Sequence, residues 1–99
     1  MATYISLLRF TEQGVRHFQQ SPDRATAFQQ TAQKSGAKVI GQYWTLGEFD
    51  AVLLLEAASD EAATSLMLAL AAAGNVRTTT LRAFTASEFG SIVAKAPKV

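Results

Sequence analysis

At 99 residues and 10.6 kDa the chain has the size of one domain. Its hydrophobic residues make up 48% of it, but 18 are alanine, leaving about 30 large apolar side chains, enough for one core and not two. Nine Lys and Arg against eight Asp and Glu, one histidine and no cysteine exclude several classes at once. Scattered, balanced charge lacks the concentrated basic surface that nucleic-acid binding needs. Without cysteine there is no disulfide, thiolate metal site or thiol nucleophile, and His17 alone makes no histidine metal site. The apolar fraction argues against disorder.

The first predicted element is a strand from Thr3 to Phe10, rich in β-branched, aromatic and leucine residues. Thr11 follows as an N-cap, and Gly14 keeps the helix it opens short or irregular. Ser21-Pro22-Asp23 is a stronger helix start, with a capping serine, proline at the first helical position and an aspartate at the positive end of the dipole. Ala25, Phe28 and Ala32 recur at helical spacing, and Lys34-Ser35-Gly36 ends the helix. Lys38 to Leu46 reads as a second strand in which Gly41 marks a bulge or a close approach. Gly47-Glu48 is the expected two-residue turn into a third strand, Phe49 to Glu56. Ser59-Asp60-Glu61 caps a second long helix whose apolar stripe is Ala62, Leu66, Ala69, Leu70 and Ala73. Val76 to Phe84 is the fourth strand. Thr85 and Glu88 then form a capping box that opens a short terminal helix through Phe89 and Ile92, with residues 94–99 as a frayed tail.

The order β-α-β-β-α-β over residues 1–99 predicts one ferredoxin-like α+β sandwich. Its four-stranded antiparallel sheet carries two helices on one face, and a short helix ends the chain. Alternation divides the first strand into Thr3, Ile5, Leu7 and Tyr4, Ser6, Leu8, Phe10. It divides the third into Ala51, Leu53, Leu55 and Asp50, Val52, Leu54, Glu56. Both sets are largely apolar, so a monomer would expose an apolar sheet face. Burying ~500 Å² of such area contributes on the order of 12 kcal/mol gross before association costs. A homo-oligomer packed sheet to sheet is expected, unless the terminal helix folds over its own open face.

Three blocks resemble the GYD-domain family: Tyr4 to Gly14, Gln42-Tyr43-Trp44-Thr45-Leu46-Gly47-Glu48-Phe49-Asp50, and Gly74 to Thr85. Phe49 stands where members usually carry tyrosine. The resemblance implies a small bacterial protein of the ferredoxin-like, dimeric α/β-barrel type and brings no established activity, cofactor or catalytic residue.

Candidate chemistry is sparse. Glu48 and Asp50 form a possible acid–base pair or, more plainly, turn acids that bind backbone. Arg77 and Arg82 are five apart and so fall on opposite faces, and Tyr43 and Trp44 also diverge. Tyr4, Trp44, Asp50 and Arg82 are the expected ligand-binding set. No catalytic residue, metal ligand or cofactor site is identified, and no phosphate loop or nucleophile elbow is present. The leading expectation is an oligomeric small-molecule-binding or regulatory domain without catalysis. The alternatives are a cofactor-independent monooxygenase or isomerase, by fold analogy, and a structural assembly protein. Expected partners are a second copy and a small organic ligand. No nucleic acid or membrane is expected, because the most apolar stretch, Leu66 to Ala73, is far too short for a span. With no signal peptide evident, the expected location is the cytoplasm.

Overall fold

The β-branched and leucine-rich segments pair into one sheet in a computed structural model that describes residues 1–99. The strands are β1 (Ala2–Phe10), β2 (Lys38–Trp44), β3 (Ala51–Ala57) and β4 (Val76–Ala83), in spatial order β2-β3-β1-β4, and every neighbouring pair is antiparallel. The helices are α1 (Glu12–Arg16), α2 (Ser21–Lys34), α3 (Asp60–Ala72) and α4 (Ala86–Lys95), with a 3-10 turn over Phe18–Gln20 between the first two. This is the expected β-α-β-β-α-β arrangement with a terminal helix.

The register sorts the faces. Tyr4 lies opposite Leu55 and Arg82, Ser6 opposite Leu53 and Thr80, and Leu8 opposite Ala51 and Thr78. These face the helices, where Phe28 and Ala32 of α2 and Ala63, Leu66 and Met67 of α3 complete the core with Tyr4, Leu53 and Leu55. Ser6 is the buried polar group of this layer, and its hydroxyl is satisfied by that of Thr80 at 3.0 Å.

Local signals account for most element ends. Thr11 accepts from the Gly14 N–H, Ser59 from the Ala62 N–H, and Thr85 and Glu88 cap each other's backbone reciprocally. Gly14 is glycine for steric reasons. A Cβ there would lie 1.9 Å from the Asn75 carbonyl oxygen. Thr11 bonds the same turn twice, N–H to Asn75 O and hydroxyl to Gly74 O. The turn between α3 and β4 is thereby clamped to the end of β1.

Three expectations are corrected. Ser21 is the first residue of α2 rather than its cap, and its hydroxyl accepts from the Trp44 indole N–H at 3.0 Å. The β2–β3 connection is not a two-residue turn at Gly47-Glu48. β2 stops at Trp44 and β3 begins at Ala51, and Thr45 N–H to Asp50 O and Thr45 Oγ1 to Phe49 O close the longer loop. The buried stripe of α3 is Ala63, Leu66 and Met67 with Leu70 partly covered, while Ala69 is exposed. The expected bulge is present: the register slips between Val39 and Gly41.

Candidate functional site

The four expected ligand residues divide among three places. Tyr4 is nearly fully buried at the foot of α3, and its hydroxyl donates to Asp60 Oδ1 at 2.5 Å. The hydrogen bond to that carboxylate, burial and the negative charge of Asp60 all hold the phenol above its ordinary pKa, while Arg82 pulls the other way. The Arg82 guanidinium stands 5.7 Å from the Tyr4 ring centroid and 4.5 Å from that of Phe84, over both π faces. Its Nη1 donates to the carbonyls of Thr3 and Ala83, and no carboxylate pairs with it. Tyr4, Asp60, Thr64, Thr78, Thr80 and Arg82 thus line one open groove, whose other residues, Ala63, Met67, Leu68 and Ala71, are apolar.

Trp44 lies at the far end of β2, half exposed, tied by its indole to Ser21 at the start of α2. Beside it Gln42 donates to the Ala25 carbonyl, so two side chains of β2 hold the first turns of α2. Asp50 is elsewhere again. Its carboxylate accepts from the Phe10 N–H at 2.8 Å and its own N–H donates to Leu8 O, which fixes the loop to the end of β1. Glu48 pairs with Arg9 at 2.8 Å, and Arg9 also stacks 4.7 Å from the Phe49 ring centroid. Both acids therefore do structural work in the loop. His17 ends α1, and its backbone carbonyl accepts from Arg24 Nη1 at 3.0 Å. Only Tyr4 and Arg82 of the expected set meet.

The opposite face of the sheet carries Ile5, Leu7, Val52 and Leu54, all partly exposed, with Leu81 and Tyr43 half exposed beside them. The Tyr43 ring lies over Gly41, where a Cβ would come within 2.9 Å of it. No helix covers this face. The helix α4 also buries nothing: Phe89, Ile92 and Val93, on neighbouring turns, are 56%, 43% and 57% exposed. The radius of gyration, 15.1 Å, exceeds the about 13 Å of a globular chain this long, because α4 projects from the sandwich.

No helix is long and apolar enough to cross a membrane. Comparison with known proteins extends these observations. A profile described as the GYD domain matches residues 4–93. A relative from Thermus thermophilus is 34% identical over 84 residues, covering 84% of this chain and 88% of its own length. It is described as a glutamine synthetase and cystathionine beta-lyase binding protein. No solved structure matches the chain. Fold, sequence blocks and the near-complete span of the match agree, and the chain belongs to the GYD-domain family.

Proposed function

We propose that this chain is a non-catalytic, cytoplasmic binding module that self-associates through its open sheet face and, in that form, regulates partner proteins. The observation that carries the reading is the amount of apolar surface left without a partner: Ile5, Leu7, Val52, Leu54 and Leu81 on the sheet and Phe89, Ile92 and Val93 on α4. Contiguous apolar surface of this kind marks an interaction site. Four strands about 4.8 Å apart and seven residues of about 3.3 Å give a face of roughly 440 Å². A standard interface buries roughly 800 Å² per partner. The sheet face alone falls short, so the α4 stripe is the natural second part of the interface.

The relative's description, a binding protein for two metabolic enzymes, supports regulation by protein contact. The engagement of Asp50 and Glu48 in loop hydrogen bonds and ion pairing favours binding over acid–base catalysis by that pair. Light scattering tests the assembly. The wild type is expected above the 10.6 kDa protomer mass and Leu54→Lys at it. A wild type that stays at the protomer mass at every concentration contradicts self-association. Interferometry with the host's own glutamine synthetase and cystathionine beta-lyase tests the partner class, and an absence of saturable binding to both contradicts regulation by contact with these enzymes.

A further inference from the structure

The helix-covered side of the sheet contains a space that the fold does not fill. α2 packs on β2 while α3 packs on β3 and β4. Between the first half of α2 and the last half of α3 a cleft of about 330 Å³ opens over Leu8 and Leu53. Its origin is in the sequence. Ala25 and Ala27 on α2, Ala51 on β3, and Ala69 and Ala73 at the end of α3 all line it, and their methyl groups do not reach across. Interiors are ordinarily packed without such voids, and binding pockets begin at about this volume.

The cleft wall also holds Arg24. Its Nη1 is anchored on the His17 carbonyl. Its Nη2 has no hydrogen-bond partner and almost no water-accessible surface, so an acceptor in the cleft meets it once the guanidinium turns towards the cleft. The ion pairs of the chain are Arg9–Glu48 and Arg16–Glu12, so no carboxylate neutralises Arg24. A guanidinium nitrogen removed from water without an acceptor is costly, and an anionic oxygen is its strongest partner. Of the 19 lining residues 14 are hydrophobic, which disfavours a multiply charged ligand such as a phosphate.

We propose that this cleft binds a small apolar carboxylate, a single-ring aryl or medium-chain alkyl acid, with its carboxylate on Arg24 and its body over Leu8, Phe28, Leu53 and Leu70. The inference is independent of self-association, because the cleft lies on the helix side of the sheet and the proposed interface on the other. Ligand entry would press on Ser21 and Trp44, which join α2 to the end of β2, so occupancy would be felt where α2 begins.

The only tryptophan of the chain, Trp44, lines the cleft and reports on it directly. The probes are octanoate and phenylacetate, with octan-1-ol as the uncharged control, titrated against the full chain by tryptophan fluorescence. At least one acid is expected to give a saturable change with a Kd on the order of 0.1 mM, and octan-1-ol a tenfold weaker one. Arg24→Gln is expected to weaken the acid at least tenfold while leaving octan-1-ol binding unchanged. Ala69→Phe, which fills the cleft, is expected to abolish both. Circular dichroism establishes that each variant is folded, and for any that is not, Arg24→Met and Ala69→Leu take its place. Failure of both acids to saturate, equal affinity for acid and alcohol, or an Arg24→Gln variant that binds acid as tightly as wild type would each overturn the proposal. Because none of these readouts depends on oligomer mass or on a partner enzyme, their failure leaves the reading of the open face intact.

Discussion

The two faces of the sheet come from the same strands and differ in what lies over them. Leu53 and Leu55 point towards the helices and are 1% exposed, whereas Val52 and Leu54, one residue away, remain partly open. The hydrophobicity of the two sets is alike. What separates them is that β-α-β crossovers of one hand place both long helices on the same side. Hydropathy thus records how much surface the chain must bury, and topology decides how much of it the chain can bury alone.

The sharpest test of that contrast is a pair of adjacent truncations. Leu53→Ala is expected to cost about 2–5 kcal/mol in urea denaturation, as a fully buried leucine does. Leu54→Ala is expected to cost about 1 kcal/mol or less in dilute protein, since its site is already partly solvated. Equal costs at low concentration would mean that the open face is covered within the protomer. Next in size is Gly14→Ala. Its methyl group has no room against the Asn75 carbonyl, so a loss of about 1–3 kcal/mol is expected, measured as a fall in thermal midpoint. Gly90→Ala, where a methyl group meets nothing, is expected to be silent or slightly stabilising.

Smaller effects follow from protons. The Tyr4 phenol is held above its ordinary pKa of 10.0 by Asp60, so its contribution to stability is complete below that pH. It is lost as the pH rises through the raised value, because the unfolded chain ionises first. Tyr4→Phe is expected to flatten this alkaline limb of the stability curve. Glu88 runs in the opposite direction. Its hydrogen bond to the Thr85 N–H lowers its pKa, so its support for α4 is present at neutral pH and disappears as acid protonates it. After division by the intrinsic exchange rate at each pH, amide protection in α4 is expected to fall at low pH while protection in α3, capped by Ser59, does not. The contrast between a packed helix and a projecting one is then read directly from two caps.

Much of the fold was legible because it rests on local chemistry. Thr11, Ser59 and the Thr85–Glu88 box cap as their side chains predict, and Gly41 sits at the bulge. What was hidden depends on contacts between distant segments. Ser21 looks like a cap, yet Trp44 claims its hydroxyl from 23 residues away. The loop after β2 extends to Asp50 because that side chain binds the backbone of Phe10, 40 residues earlier. The stripe on α3 was misplaced because so many of its residues are alanine, which marks a face weakly: Ala62, Ala63 and Ala69 carry equal signals and end with unequal burial. Of the candidate site, register alone brought Tyr4 opposite Arg82. Arg24 gave no sign in the sequence, where an arginine on a helix reads as solvated. The available clue was the clustering of small residues around it.

The position of β1 carries a consequence for the life of the chain. The strand that comes first in chain order is an inner strand, bonded on one side to β3 and on the other to β4, with Thr3 opposite Ala83. Its second edge therefore waits, with apolar side chains on both surfaces, until β4 has been made. The clamp of Gly14 and Thr11 on Gly74 and Asn75 closes at the same late moment. A nascent chain stopped near Gly74 would hold a sheet with β1 as a bare edge, open to any other strand. The sheet is thus most exposed to wrong pairing just before β4 joins it, and that strand ends the period.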